Sequence, residues 1–464
     1  MAVAQATPRA PARSKHPAMR TVFLLVCGAT AACTASASAV EPPDDQIFYP
    51  TGMAIAPDES VLFVANANSD LRYDSGSVSV LDLGMVDQVI SDWTGPNQII
   101  PTDGVPCTQD TSYSETLQCD EARFFVPSSG ARVGNFATDI AVQDLGAGSL
   151  RLIVPTRGDP SISWVDWNGS SLSCNTSTAG FALCDDTHRL SYVENDTNLR
   201  ALPEEPFYAF ADSVGQFAVV THLATGDITL IDSPAGGDAV ISDIASNLFI
   251  PDPLTGLEGS TGVSGRLPGA NDIVYVGSRT ENRIQMLTVG RPANDSPPYW
   301  VPGNYFFLML GAGAGNSTDT RGITFSPSGD RMYLLNRNPP SLQIFDTSLG
   351  PTGFPDNTLL AATDICTTAS TLTLADSGDG DKVYVTCFND GQIYVIDPRG
   401  LSSLDAIVTV GRGPYAIAAA TNRKRVYVTN FLEDTIAVVD IDPASPLRNH
   451  VVLRIGVPRP PNQQ

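Results

Sequence analysis

The chain has 464 residues, with 27 Lys and Arg against 50 Asp and Glu, which gives a formal net charge of -23. Charged residues make up only 17%, while 39 glycines and 35 prolines supply many turn positions, so the composition does not suit a helical bundle. A hydrophobic content of 42% excludes disorder over most of the length, and the acidic excess excludes a nucleic-acid-binding surface. The length allows two or three domains or one large all-β domain.

The chain begins with the layout of an export signal. Basic residues come first, an apolar run follows at 22–29, and no acidic residue occurs before Glu41. The apolar run is too short to span a bilayer permanently. We therefore expect residues 1–32 to be a signal peptide and the protein to be exported.

Two cleavage points compete at the end of this segment. Small residues precede Cys33 and resemble a bacterial lipobox, in which Cys33 becomes the lipidated first residue. This interpretation predicts an outer-membrane lipoprotein of the cell envelope that contacts the membrane only through its lipid anchor. Cleavage after Ala39, in a plainly secreted periplasmic or extracellular protein, is the alternative. Residues 33–45 are expected to form a lipidated or flexible tether, followed by a single folded domain at 46–460.

The cysteines agree with export. Six of them remain when Cys27 and Cys33 are set aside, and an even number in an exported chain indicates disulfides. Six cysteines allow fifteen connectivities, of which pairing between sequence neighbours closes the shortest loops. The predicted disulfides are therefore Cys107 with Cys119, Cys174 with Cys184, and Cys366 with Cys387.

A repeated phrase runs along the chain. The phrase RVYVTN at 425–430 is followed ten residues later by Asp440, and looser copies occur six times upstream. Each copy reads as a β-hairpin, and the aspartate that follows six of the seven copies suits an Asx-turn better than a catalytic role. The seven copies end at Asn66, Thr156, His222, Ser278, Asn336, Cys387 and Asn430.

Each hairpin has a further apolar stretch on both sides, as at 414–418 and 451–455, so each unit has four predicted strands. Seven such units predict an all-β fold, a seven-bladed β-propeller of four-stranded antiparallel blades. The last two copies end 43 residues apart, whereas the first two end 90 residues apart. The early blades therefore carry loop insertions, around 85–131 and 169–203, and we expect the first two disulfides to staple loops that lack a core of their own. The mode of ring closure stays open, because the last unit supplies four strands itself.

The phrase Tyr427-Val428-Thr429-Asn430, preceded by Gly411-Arg412-Gly413-Pro414, resembles the YVTN-type β-propeller repeat of bacterial surface proteins and lactonase-like seven-bladed propellers. The resemblance covers about residues 46–456 and is best in the last three units. It implies a seven-bladed architecture, and a lactonase activity only by likeness of fold.

A candidate site follows from this topology. The start of a blade's first strand and the end of its second strand lie at the same end of the ring, so their residues surround the mouth of the central channel. We expect polar residues there, among them Asn66, His222, Asn336 and Asn430. Six arginines are expected beside them, at first-strand starts or directly after second strands: Arg132, Arg157, Arg279, Arg321, Arg337 and Arg412.

These arginines suggest a funnel that attracts carboxylate or phosphate groups. The alternative is that each arginine pairs with a nearby Asp or Glu and only holds its loop in place. No cofactor is predicted. The histidines are too scattered for a zinc site, and the acidic segment 376–381 reads as a solvated turn, with calcium binding as the weaker interpretation.

The favoured function is therefore a monomeric binding or scaffold module of the cell envelope, with a small anionic ligand or an envelope protein as its partner. No catalytic residue is predicted, because the sequence has no nucleophile elbow, phosphate loop or zinc-protease motif. A lactonase-like hydrolase, or an accessory propeller of a quinone or redox system, is the alternative.

Overall fold

The computed structural model describes residues 40–461 except 179, 194–199, 254–255, 257, 268–271, 293–296, 310–317 and 401. The predicted signal peptide and Cys33 lie outside the described residues. Within the described part, seven sheets follow one another along the chain, each built on four antiparallel strands, as the repeat predicts. No described helix has the length and apolar character needed to cross a membrane.

The first two blades carry the insertions. Blade 1 and its insertion consist of β1 (Pro50–Ile55), β2 (Val61–Asn66), β3 (Gly76–Asp82), helix α1 (Leu83–Thr94), β4 (Cys107–Gln109), β5 (Leu117–Cys119), a 3-10 turn (Glu121–Arg123) and β6 (Ala131–Val133). Blade 2 and its insertion consist of β7 (Ala141–Gly146), β8 (Ser149–Thr156), β9 (Ser161–Trp167), β10 (Leu172–Ser173), a 3-10 turn (Asp186–His188) and β11 (Arg189–Leu190).

The next two blades each use four consecutive strands. Blade 3 consists of β12 (Pro206–Asp212), β13 (Phe217–His222), β14 (Ile228–Asp232) and β15 (Val240–Ala245). Blade 4 consists of β16 (Ser260–Gly265), β17 (Val274–Ser278), β18 (Arg283–Gly290) and β19 (Tyr299–Phe307).

The last three blades follow the same plan. Blade 5 consists of β20 (Thr320–Phe325), β21 (Arg331–Arg337), β22 (Pro340–Asp346) and β23 (Thr358–Asp364). Blade 6 consists of β24 (Ala369–Asp376), β25 (Asp381–Cys387), β26 (Gln392–Asp397) and β27 (Ser403–Thr409). Blade 7 consists of β28 (Pro414–Ala420), β29 (Arg425–Asn430), β30 (Thr435–Asp440) and β31 (Val451–Ile455).

The core lies between adjacent blades, which explains why the second strands are apolar without interruption. In β29, Tyr427 packs in a cluster shared with blade 1, whereas Val426 and Val428 pack in a cluster shared with blade 6. Successive side chains of a strand point to opposite faces, and here both faces are covered by a neighbouring blade. The apolar run in each copy of the repeat therefore reflects the burial of both faces of the second strand.

The aspartates that end the third strands have structural partners. Asp440 accepts a hydrogen bond from the N–H of Asp442, as an Asx-turn requires, and it also pairs with Arg425 at 2.7 Å. Arg425 is its cross-strand neighbour in the register. The same cross-strand ion pair joins Arg151 to Asp166 and Arg331 to Asp346.

The insertion of blade 1 closes the ring on the outside. Strand β5 pairs in parallel with β31, and β4 pairs with β5, so the sheet of blade 7 has six strands. The apolar face of α1, which includes Val86 and Trp93, packs in one cluster with Leu453 of blade 7. As expected, this insertion has no separate core: its apolar residues pack into the core between blades 1 and 7.

Hydrogen bonds reinforce this closure. The carboxylate of Glu59 in blade 1 accepts hydrogen bonds from the N–H groups of Asn422 and Arg423 in blade 7, each at 3.0 Å. All three predicted disulfides form, and the pairing between sequence neighbours is confirmed. The first of them joins β4 to β5 and so fixes the two strands that the insertion adds to blade 7.

Candidate functional site

The strand register brings the first-strand starts and second-strand ends together in every blade. The paired residues are Pro50 and Asn66, Ala137 and Thr156, Pro206 and His222, Ser260 and Ser278, Thr320 and Asn336, Ala369 and Cys387, and Pro414 and Asn430. These residues mark the end of the ring at which the central channel opens, the mouth.

The second-strand ends themselves lie inside the blades. Asn66, His222, Asn336 and Asn430 are fully buried, so they do not line the mouth. Their side chains link strands within a blade, as the Asn66 amide does by donating to two serine hydroxyls of β3 at 3.0 and 2.9 Å. Burial lowers the pKa of His222 to about 4, so the ring is neutral at pH 7. Its nitrogens lie 2.8 Å from the Thr229 hydroxyl and 3.1 Å from the Glu204 carbonyl.

The residues that directly follow the paired positions in the sequence lie beside the channel, unlike the buried second-strand ends. In six blades the first strand carries a β-bulge directly after its start, and such a bulge re-aims the side chains that follow. The bulges place Phe207 and Tyr208 of blade 3, Arg321 of blade 5 and Tyr415 of blade 7 beside the channel. The residues directly after the paired second-strand positions include Arg157, Arg279, Arg337, Phe388 and Phe431.

Three arginines gather on one side of the mouth. The guanidinium carbons of Arg157 and Arg321 lie 5.9 and 5.6 Å from the ring centre of Phe207. Arg157 pairs with Glu205 at 2.7 Å, and Arg321 pairs with Asp319 at 2.7 Å.

Arg337 differs from these two. Its Nε donates to the Ala369 carbonyl at 2.8 Å, and no described carboxylate pairs with it. Burial, and after it the charge of Arg321, lower the pKa of Arg337. This guanidinium is therefore held close to a like charge without an acidic partner of its own among the described residues.

The other predicted arginines are placed differently. Arg279 occupies the position of Arg337 in blade 4, and its guanidinium lies 3.4 Å from the Leu223 carbonyl. Arg412 pairs with Glu433. The expectation that Arg132 starts the first strand of blade 2 is wrong, because it lies in β6, the outermost strand of blade 1. There it is buried and pairs with Asp74 and Glu41.

Aromatic rings form the opposite side of the mouth. Phe431 packs on Tyr49, Phe388 and Tyr415, with ring centres 5.4, 6.2 and 6.2 Å apart. These residues belong to blades 6, 7 and 1, whereas Arg157, Arg279, Arg321 and Arg337 belong to blades 2, 4 and 5. The mouth therefore has an arginine side and an aromatic side.

Tyr208 forms a floor below the mouth. Its hydroxyl group donates to the Ser370 carbonyl at 3.0 Å, which joins blade 3 to blade 6 across the channel. Tyr208, Asp139 and Thr371 line two small cavities, of about 90 and 40 Å³. Arg321 lines the larger cavity and Tyr415 the smaller one.

Asp139 is a carboxyl group in the channel that the repeat pattern does not predict. Its Oδ2 accepts a hydrogen bond from the N–H of Ala209 at 3.0 Å, but burial raises its pKa to about 6. The signal that could have found both Asp139 and Tyr208 is their spacing from the position that pairs with the second-strand end. Tyr208 lies two residues after Pro206, which pairs with His222, and Asp139 lies two residues after Ala137, which pairs with Thr156.

The described residues contain one group with metal-ligand geometry, namely Cys366, Cys387 and Asp390. Two of its three members are joined in a disulfide, so it does not provide a thiolate site. In the segment 376–381, Asp376 accepts backbone hydrogen bonds from Gly378 and Gly380, as in a turn.

Comparisons with known proteins support the fold alone. No family model and no curated protein matches the chain, so the YVTN resemblance stays a prediction. Among solved structures, a candidate 6-phosphogluconolactonase from Bacteroides fragilis has a TM-score of 0.56 at 12% identity, with 86% of this chain and 99% of that chain covered. The periplasmic gluconolactonase PpgL of Pseudomonas aeruginosa has a TM-score of 0.51 at 14% identity, with 79% and 87% covered. A protein from Lactobacillus plantarum has a TM-score of 0.52 at 16% identity, with 76% and 92% covered.

Proposed function

We propose that this propeller is a binding module whose mouth takes a small organic anion with an apolar or planar portion. The observation that carries the proposal is Arg337, which lies close to Arg321 without a carboxylate partner among the described residues. A bound carboxylate or phosphate would offset the repulsion between the two guanidinium groups and accept their N–H donors. The aromatic side, with Tyr415 and Phe431, offers a surface for the remainder of the ligand.

The cellular setting is part of the same proposal. Residues 1–32 direct export, Cys33 carries a lipid, and the tether at 33–45 presents a monomeric propeller at the cell envelope. The three disulfides support an oxidising location, since such bonds persist outside the cytoplasm. An envelope protein that presents an acidic side chain to the mouth is the alternative partner. Labelling with a fatty-acid probe tests the anchor, and an unlabelled mature protein would exclude it.

Calorimetric titration of the purified protein with benzoate tests the mouth, with uncharged benzamide as the ligand control. We expect benzoate to bind more tightly than benzamide, and Arg337→Gln to weaken benzoate binding by roughly tenfold, about 1.4 kcal/mol. Arg331→Gln is the matched control variant, because Arg331 begins β21 and Arg337 ends it. Benzoate binding that is equal in both variants and the parent protein would contradict the proposal.

Lactone hydrolysis is the second candidate, and Asp139 is the observation that favours it. A carboxyl group with a pKa of about 6 is suited to act as a general base, and it shares its cavity with the cationic Arg321. The cavity of about 90 Å³ is well below the roughly 300 Å³ of ordinary ligand pockets, so Tyr208 would have to move before a substrate enters. For this reason binding ranks first.

An assay with glucono-1,5-lactone separates the two functions. Hydrolysis above the uncatalysed rate that is lost in Asp139→Asn would establish the second candidate. Benzoate binding without lactone turnover would support the binding function and count against lactone hydrolysis.

A further inference from the structure

A large cleft lies at the opposite end of blades 1 and 2 from the mouth. It has a volume of about 580 Å³, within the range of small-molecule sites. The turn between β1 and β2, the end of β3, the turn between β7 and β8, and the end of β9 surround it. Ala56, Val61 and Leu150 supply apolar walls.

Three carboxylates line this cleft. Each uses its Oδ1 to hold local backbone: Asp58 accepts from Ser60, Asp82 from the first turn of α1, and Asp144 from Gly146. The Oδ2 atoms of all three accept no hydrogen bond from a described residue. None of the three forms an ion pair in the described part of the chain, and no Lys or Arg is among the residues that line the cleft.

Trp167 supplies an independent observation. The indole N–H groups of the other three tryptophans donate to backbone carbonyls, at 2.8 Å for Trp93 and 3.0 Å for Trp164 and Trp300. Trp167 is only 5% exposed and lines the cleft, and its N–H donates to no described residue. Its Nε1 is not among the buried polar atoms that lack a partner, so this donor is accessible to solvent and is not sealed in the core. A ligand atom in the cleft can therefore accept from it.

We propose that the cleft binds a small organic cation that also carries a hydroxyl group, such as an amino alcohol or an amino sugar. The carboxylate oxygens accept from the ammonium group, the Trp167 N–H donates to the hydroxyl oxygen, and the apolar walls pack on the carbon chain. A bare divalent cation fits less well. The three carboxylates are not among the described groups whose ligand atoms come close enough together to share a metal ion.

Calorimetric titration of the mature protein with three probes tests the site. The probes are 5-amino-1-pentanol, pentylamine, which lacks the hydroxyl, and 1,5-pentanediol, which lacks the charge. We expect 5-amino-1-pentanol to bind most tightly. The double substitution Asp58→Asn with Asp144→Asn is expected to weaken both amines by at least about tenfold, because asparagine keeps the turn contacts and removes the charges.

Trp167→Phe keeps the ring in the core and removes the N–H. This variant is expected to lower the affinity for 5-amino-1-pentanol to that for pentylamine. Its affinity for pentylamine should equal that of the parent protein. Asp110→Asn is the matched control, because Asp110 also accepts backbone hydrogen bonds in a turn, from Ser112 and Tyr113, but lies outside the cleft. The proposal is overturned if no amine binds, if Asp110→Asn weakens binding as much as the cleft variants, or if 1,5-pentanediol binds as tightly as the amines.

Discussion

Replacing Asp139 by Asn tests the charge state of the channel. Burial raises the pKa of Asp139 from 3.8 to about 6. Between these pH values the folded protein holds the proton more tightly than the unfolded chain does, so the free energy of unfolding falls as the pH rises through this window. At about 1.4 kcal/mol per pH unit, the loss amounts to about 3 kcal/mol once the pH exceeds the folded pKa.

The Asp139→Asn side chain keeps an oxygen that can accept from the Ala209 N–H and has no charge to lose. We therefore expect the variant and the parent protein to have similar stabilities near pH 4. Near pH 8 the variant should be more stable, by up to about 3 kcal/mol. Urea unfolding followed by tryptophan fluorescence across this range measures the difference.

Asn66→Ala serves as the control, since it destabilises the protein without changing a titratable group. Its effect on the free energy of unfolding should be the same at every pH. A difference between Asp139→Asn and the parent protein that does not change with pH would refute the reasoning. That result would also remove the support for Asp139 as a general base.

Three further predictions concern stability. Cys107→Ser with Cys119→Ser opens a loop of 12 residues, which by chain entropy costs about 3 kcal/mol of stability. The double variant should lower the melting temperature more than loss of the blade 2 disulfide does, because it also loosens ring closure. Equal effects of the two losses would contradict this. Asn66→Ala removes three buried hydrogen bonds and should cost about 2–3 kcal/mol in urea unfolding, whereas a cost near zero would mean that water replaces the amide. Tyr208→Phe leaves the Ser370 carbonyl without its donor and should cost about 1–2 kcal/mol in the same assay, so an unchanged stability would argue against the bond across the channel.

The number and order of the blades could be predicted because their signals are local. A second strand such as β29 is buried on both faces, so it appears in the sequence as an uninterrupted apolar run at a regular spacing. The disulfides were predictable for a related reason, since each joins cysteines that are close in sequence. Both inferences depend on contacts between neighbours along the chain.

The lining of the mouth was predicted only in part. Arg157, Arg321 and Arg337 lie at the mouth as expected, but the second-strand ends, such as Asn430, are buried inside the blades. The bulge shifts the channel-facing residues by one or two positions, and a shift of one residue moves a side chain to the other face of a strand. A repeat pattern without the register cannot show this displacement.

Ring closure and the cleft were decided by the tertiary structure alone. Strand β5 pairs with β31 although more than 300 residues separate them. Trp167 lines the same cleft as Asp58 and Asp82 only because blades 1 and 2 are adjacent. The sequence determined one repeating, acidic chain, because composition and periodicity are properties of the chain itself. Where its charges gather, with arginines at the mouth and carboxylates in the cleft at the other end, depends on packing between distant segments, which local pattern does not encode.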